Sequence, residues 1–134
     1  MESGGNQAEV IATLQKLVDQ QETKGPVLFI TERQLVTFHN LKVTNLEPEY
    51  EKVFLMEMVM SGNQDYLERF HNDLAQHRFS MIVTERMNSL IQDRTYQFSE
   101  ENNLWVEQVE DPVHQNYQLS QQFDDLNLDV YLPR

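Results

Sequence analysis

Two short apolar runs with the same ending lie at the centre of the predicted fold. The first covers Val27 to Ile30, the second covers Ser80 to Val83, and each is followed directly by Thr-Glu-Arg. A continuously apolar run is typical of a strand that is covered on both faces, whereas a half-exposed strand alternates between apolar and polar residues. We therefore predict two central parallel strands, the first opened by Pro26 and ended by Thr31 and the second at 79–84.

Apolar residues at helical spacing predict helices around these strands. The predicted helices cover 8–22, 32–38, 49–61, 63–76 and 100–109. In the third of them, the apolar side chains predicted to face the core are Tyr50, Val53, Phe54, Met56 and Met60. Asn63 is expected to cap the fourth helix, and Asp111-Pro112 is expected to end the fifth, because proline cannot continue the hydrogen-bond ladder.

Three further strands are predicted from shorter patterns. One lies at 41–43, and two closing strands at 114–119 and 127–132 are expected to form the edge of the sheet, the last because it alternates between apolar and polar residues. Residues 1–7 are small and polar and are predicted to be a mobile linker. The pattern from 87 to 98 favours no single structure, with 87–93 irregular or briefly helical and 94–98 extended.

The alternation of strands and helices predicts an α/β fold. We expect a single domain over 8–134, built as a three-layer sandwich around a mostly parallel sheet of about four or five strands. A ferredoxin-like α+β arrangement is the alternative. The length of 134 residues is close to the commonest domain size.

Composition narrows the classes of partner. The chain has 22 Asp and Glu against 10 Lys and Arg, giving a net charge of -12, so its surface should repel nucleic-acid backbones and anionic lipids. It has no cysteine, which excludes disulfides and thiolate zinc sites. Its apolar runs are far shorter than the roughly 18 residues of a membrane-spanning helix, so no direct membrane insertion is expected of these residues.

The repeated Thr-Glu-Arg segment is the strongest candidate site. Ligands of open α/β sheets bind beyond the carboxyl ends of the strands, and parallel neighbours would bring both segments to one edge. The candidate ligand-binding residues are Thr31, Glu32, Arg33, Thr84, Glu85 and Arg86. In the alternative interpretation each Thr caps a turn while Glu and Arg are solvated or paired with each other. If the two arginines instead converge, they form a positive patch suited to a phosphate or carboxylate.

Other candidate chemistry is weaker. Glu68 and His71 have the Glu-x-x-His spacing of di-iron helices, but a working site needs a second such pair, which the sequence lacks. His39, His77 and His114 have no zinc-like spacing, which favours surface or cap roles. No glycine-rich phosphate loop and no nucleophile elbow occurs. The sequence therefore predicts no catalytic residue, no metal site and no cofactor.

Three sequence segments and the end of the chain resemble a known protein family. They are Val27 to Leu35, Pro48 to Val53, Arg78 to Glu85 and the closing Val130 to Arg134. Together they resemble the soluble C-terminal domain of large multi-spanning bacterial membrane proteins, mainly cyanobacterial, which are uncharacterised or glycosyltransferase-like. The resemblance extends from Ala8 onward and rests on structural phrases rather than on catalytic motifs.

The resemblance implies a tail domain tethered to a membrane on its extracytoplasmic side. Its partner would be the membrane-embedded portion of its own parent chain, and Gly4-Gly5 would mark the junction with the last membrane helix. In membrane glycosyltransferases of that architecture the catalytic carboxylates lie on loops of the membrane part, so no catalytic residue carries over to this sequence.

Two functional hypotheses follow. The first is a non-catalytic soluble accessory domain of a membrane-embedded protein. The alternative is a free-standing protein or enzyme that binds a small molecule, an anion or a sugar phosphate, at the carboxyl ends of the parallel strands.

Overall fold

The computed structural model describes residues 3–31, 41–47, 50, 52–85, 99–124 and 127–134. They form a mixed α/β fold around one five-stranded sheet. The helices are α1 (Ser3–Gln21), α2 (Lys52–Ser61), α3 (Gln64–Ala75), α4 (Ser99–Trp105) and α5 (Asp111–Asn116), with a π-helical turn at Val106–Glu110 between the last two. The strands are β1 (Val27–Ile30), β2 (Leu46–Glu47), β3 (Met81–Glu85), β4 (Tyr117–Phe123) and β5 (Leu128–Pro133).

The strand order is β2-β1-β3-β5-β4. The two predicted central strands are confirmed: β1 lies parallel to β3, with Val27 opposite Met81 and Ile30 opposite Thr84. β2 is also parallel to β1, but β5 is antiparallel to both β3 and β4. The prediction of a parallel sheet is therefore correct for the β2-β1-β3 half only.

Alternation along the central strands divides the buried side chains between the two faces of the sheet. Leu28, Ile30 and Ile82 belong to one core cluster, together with side chains of α2, α3, the π-helical turn and α5. Val27, Met81 and Val83 belong to a second cluster, together with Leu14 and Val18 of α1. Helices thus cover the central strands from both sides, which is why those strands have no polar face.

The prediction that both closing strands form the edge is wrong for β5. This strand lies between β3 and β4, and Leu128, Asp129, Val130 and Tyr131 are all buried. Tyr131 belongs to the first cluster and Val130 to the second, so the alternation in the sequence separates two covered faces rather than a covered face from an exposed one. β4 is the edge strand, and residues 114–116, predicted to be its start, belong to α5.

The predicted strand at 41–43 is not formed, and the short strand β2 lies a few residues later. The backbone of residues 42–45 is hydrogen-bonded instead by two side chains, one from α1 and one from the residue directly after α1. The Gln15 amide accepts from Lys42 N at 2.8 Å and donates to Lys42 O at 2.9 Å. Glu22 Oε1 accepts from Thr44 N and Asn45 N. The apolar pair Leu41 and Val43 packs into the second core cluster from a loop.

Pro112 does not end the last predicted helix, which continues to Asn116. Because proline has no N–H, the carbonyl of Gln108 loses its α-helical donor at this point. His71 Nε2 lies 2.9 Å from Gln108 O and must donate to it, since a carbonyl only accepts. The π-helical bond from Asp111 N to Val106 O shifts the ladder before the proline. A side chain from α3 thus compensates for the break.

The predicted junction between α2 and α3 is confirmed. Gly62 has φ +69°, Gly62 N donates to Val59 O, and Asn63 N donates to Met58 O, which is a Schellman motif. Asn63 Oδ1 then accepts from Tyr66 N at 3.1 Å and caps α3. α1 begins at Ser3, so it extends into the segment predicted as a linker. The predicted helix at 32–38 and the segment 87–98 lie outside the described residues.

The Tyr117 hydroxyl joins the start of β4 to the chain leading into β3. It donates to Phe79 O at 2.7 Å and accepts from Phe79 N at 3.1 Å, so it takes the place of a neighbouring strand for that residue. Both Tyr117 and Phe79 are fully buried. Burial raises the pKa of the Tyr117 phenol well above its ordinary value of 10.0.

We expect Tyr117→Phe to lower the free energy of unfolding by about 2 kcal/mol at neutral pH, because it leaves a buried N–H and C=O without a partner. The difference from the unmodified protein should shrink above pH 10. There the unfolded phenol ionises while the folded one does not, so the stability that Tyr117 contributes is lost as pH rises. Urea titrations followed by the fluorescence of the single tryptophan measure both effects.

Tyr50→Phe is the matched control. The Tyr50 hydroxyl donates to Asp73 Oδ2, but that carboxylate keeps Arg78 NH1 as a donor at 3.1 Å. We expect a loss below about 1 kcal/mol. Equal losses in the two variants would contradict the role given to Tyr117.

Candidate functional site

The carboxyl ends of β1 and β3 meet at one edge of the sheet. Ile30 lies opposite Thr84 in parallel register, so Thr31 and Glu85 are the next residues on neighbouring strands. This is the juxtaposition that strand polarity predicts for the two Thr-Glu-Arg segments. Glu32, Arg33 and Arg86 lie outside the described residues, and whether the arginines converge stays a prediction.

The two threonines differ in accessibility. Thr31 is partly exposed, whereas Thr84 is fully buried on β3 opposite Asp129 of β5. Thr84 Oγ1 has no hydrogen-bond partner in the described part of the chain. A buried hydroxyl without a partner costs roughly 1–3 kcal/mol, so Thr84 is a local source of instability directly behind the strand ends.

Glu85 is paired across the sheet edge with the first residue of α2. Lys52 Nζ lies 2.6 Å from Glu85 Oε1, and both side chains are about one-fifth exposed. The same ammonium lies 5.8 Å from the centroid of the Trp105 ring at the end of α4. A carboxylate, a cation and an indole from three elements therefore meet beside the carboxyl end of β3.

No pattern in the sequence indicates Lys52 or Trp105 as members of this site. Trp105 lies within the predicted helix 100–109, and Lys52 is an ordinary charged residue between Glu51 and Val53. Their convergence depends on how α2 and α4 pack together, which no local pattern encodes. The Lys at the first turn of a helix whose other residues are mostly apolar is the signal that could have suggested a special role.

Three buried carboxylates were also missed. Glu47, Glu110 and Asp129 are each at most 5% exposed. Glu47 accepts from Arg78 NH2 at 2.7 Å, which accounts for its burial. Within the described ranges no three His, Asp or Glu side chains are grouped closely enough to hold a metal ion.

The described histidines have structural contacts. His71 donates to the Gln108 carbonyl, and the neighbouring Glu68 is exposed, so the pair does not face a common centre. His114 Nε2 lies 3.0 Å from the Tyr131 hydroxyl. His77 has φ +54° in the turn after α3, and its ring lies edge-on to Tyr117. His39 is not among the described residues.

Comparison with known proteins identifies no relative. No protein-family model matches the chain, and neither the curated proteins nor the solved structures contain a significant match. In the described part of the chain, no helix is long and apolar enough to cross a membrane.

Thr84→Val should raise the free energy of unfolding by about 1 kcal/mol, because it replaces an unpartnered buried hydroxyl by a methyl group of similar shape. Thr13→Val is the control: its hydroxyl lies on the exposed side of α1 and bonds to Glu9 O, so the change should stay within about 0.5 kcal/mol. Chemical denaturation measures both. A loss above about 1 kcal/mol in Thr84→Val would show that the hydroxyl makes a bond in solution.

Proposed function

We propose that this chain is a non-catalytic soluble accessory domain that docks onto a membrane-embedded, glycosyltransferase-like protein of which it forms the tail. The sequence resemblance motivates the identity of the partner. The observation that carries the docking role is the outward face of α2, where the apolar side chains of Val53 and Phe54 are exposed beside Glu57.

The exposed face of α2 overturns the inward orientation expected for part of this helix. Val53 is 55% exposed and Phe54 is 45% exposed, whereas Leu55 and Val59 are buried. Apolar residues occur on every side of the helix and the exposed Glu57 is the one charged residue after its first turn, so periodicity could not select the side that faces the sheet. Leu55 and Val59 face the first core cluster, and α3 and α4 pack against the helix, but Val53 and Phe54 are left exposed.

Phe54 is held in position for docking. Its ring stands edge-on to the buried ring of Tyr66, with 5.5 Å between centroids. Met56 is partly exposed on the same helix and adds a flexible apolar side chain. An ordered, partly exposed aromatic side chain is a common centre for a protein interface.

Charge indicates the chemistry of the opposing surface. The chain carries a net charge of -12, and exposed carboxylates lie on the same two helices, Glu57 on α2 and Asp65 and Glu68 on α3. One cation, Arg69, lies 5.7 Å from the centroid of the Tyr66 ring. A partner surface that fits the carboxylates has an apolar pocket for Phe54 and basic side chains at its rim. In this proposal the domain takes the finer architecture of a three-layer sandwich, which the two core clusters on opposite faces of the sheet support.

The parent reading frame and one cleavage experiment test the proposal. The frame upstream of Met1 should encode hydrophobic membrane segments, and a native start at Met1 with none before it would contradict the proposal. In the full-length protein, after cleavage at a protease site introduced directly before Met1, the tail should stay bound to the membrane part. Phe54→Asp should release it.

Ala12→Asp is the matched control, because Ala12 is an exposed residue of α1 on the opposite side of the sheet. That variant should stay bound after cleavage. Circular dichroism should show that both variants fold. If Phe54→Asp also stays bound, the exposed face of α2 is not the docking surface.

A second candidate function is the binding of a sugar phosphate at the carboxyl end of β3. The observation that favours it is the meeting of Lys52, Glu85 and Trp105, since ligand sites combine an aromatic wall with a few convergent charged groups. The ammonium suits a phosphate and the carboxylate suits sugar hydroxyls. Thr84 is buried behind these groups and offers no surface to a ligand in this conformation.

If this second function is correct, a hexose phosphate at about 100 times its dissociation constant should stabilise the protein by about 2.7 kcal/mol. The stabilisation should be lost in Lys52→Met and kept in Lys16→Met, whose side chain is exposed on α1. Thermal unfolding and Trp105 fluorescence report binding. No stabilisation by hexose phosphate, inorganic phosphate or free hexose would contradict the proposal.

The same titration on the double variant, Arg33→Ala with Arg86→Ala, tests whether these two arginines bind the ligand. A loss of stability above about 1 kcal/mol with unchanged binding would assign them to structure.

A further inference from the structure

The two edges of the sheet are protected very differently. β2 pairs over only two residues, and its second residue, Glu47, is held in an ion pair by Arg78. β4 is seven residues long, and its sequence YQLSQQF contains no charge and no proline. Natural proteins protect sheet edges by shortness, charge, proline or β-bulges. β2 is short and carries a charge, whereas β4 has only the register irregularity between Leu119 and Gln121, so β4 is the less protected edge.

The outer side of β4 is open to solvent. Residues 118–122 are all exposed, and Leu119 is 47% exposed. In the described part of the chain, β4 is the last strand of the sheet. Arg134 N donates to Asn116 O, so in this antiparallel ladder Gln118 is the next residue bonded to β5 and the backbone of Leu119 points away from β5. An unpaired N–H and C=O are thus available for a further strand.

We propose that β4 pairs with β4 of a second copy of this chain, antiparallel and around a two-fold axis, so that two five-stranded sheets become one. Charge selects this surface. Two molecules that each carry a net charge of -12 repel one another, and an uncharged strand is the surface over which they can approach at least cost. A strand of uncharged Gln, Ser and Leu is also complementary to itself, as an isologous contact requires.

The interface is expected to be weak. β4 has an irregularity in register between Leu119 and Gln121, which interrupts the regular ladder. Contact along one interrupted strand places the buried area at or below the lower limit for specific interfaces, about 1,200 Å². The dissociation constant should therefore be micromolar or weaker. Raising the salt concentration should strengthen the dimer, because salt screens the repulsion between two acidic molecules.

Sedimentation equilibrium of the 134-residue chain across a wide concentration range tests the proposal. Leu119→Glu should weaken dimerisation at least about tenfold, since it places like charges on apposed strands. Leu46→Glu is the matched control: Leu46 is an exposed leucine of the other edge strand, 39% exposed, and its replacement adds the same charge. It should leave the dimer unchanged. A monomer at all concentrations, or equal effects of the two variants, would overturn the proposal.

Spin labels locate the interface independently, since the chain has no cysteine and any single introduced cysteine is unique. Strands lie about 4.8 Å apart, so a label at Leu46→Cys on β2 should give a distance of roughly 43 Å across the dimer. A label at Gln118→Cys should give less than about 25 Å, because seven residues of strand span about 24 Å. The reverse order of distances would place the contact at another surface. This result is independent of Phe54 and the docking role of α2.

Discussion

The parallel pairing of β1 with β3 is the constraint on which the rest of the structure depends. Both strands are buried on both faces, so their alternation decides which side chains meet α1 and which meet the helices of the other face. A shift of one residue would turn the side chains of the shifted strand over, so that Leu28 in β1 or Ile82 in β3 would face α1. The same register brings Thr31 and Glu85 to one edge, so packing and candidate chemistry have a common cause.

Two groups of polar side chains lie at opposite ends of these strands, and they differ in how many of their members have a hydrogen-bond or ion-pair partner. At the start of β3, Arg78 bridges Glu47 and Asp73, while Tyr117 takes both backbone groups of Phe79. Burial opposes the charge on Arg78, but the two carboxylates outweigh it and hold the guanidinium pKa above its ordinary value. At the other end, Lys52 and Glu85 form one pair, and Thr84 Oγ1 has no hydrogen-bond partner among the residues that the structure describes.

That contrast assigns different roles to the two ends. A network in which each charge has an opposite partner stabilises one arrangement of β2, α3 and the chain leading into β3. An end that keeps an unpartnered hydroxyl beside an ion pair and an indole carries a local cost in stability. Such local costs are expected at functional sites more often than elsewhere in a fold.

The elements that could be predicted from the sequence are those whose signals are local. The apolar runs of β1 and β3, the Asn63 cap and the turn at Gly62 each depend on neighbours within a few residues. The errors arose where a distant residue decided the outcome. Gln15 occupies the backbone near Lys42 in place of a strand partner, and His71 satisfies the carbonyl that Pro112 leaves without a donor.

The residues of the candidate site also fall into those that the sequence predicts and those that depend on distant packing. Strand polarity predicts that Thr31 and Glu85 share an edge, because the carboxyl ends of neighbouring parallel strands lie at the same edge of a sheet. It cannot predict Lys52 or Trp105, which arrive from helices whose orientation depends on the whole core. The burial of Asp129 was missed because alternation in β5 is compatible with one covered face or with two.

The acidic charge of the chain connects its surfaces to its associations. A net charge of -12 opposes contact with any acidic molecule, including a second copy, and the opposition is least where the surface is uncharged. Among the described residues the edge strand β4 offers such a surface, whereas the outer face of α2 carries the exposed Glu57 beside Val53 and Phe54 and suits a basic partner instead. One lies over a face of the sheet and the other along its margin, so a partner on α2 need not displace a strand beside β4. Docking and self-association can therefore occur in the same molecule.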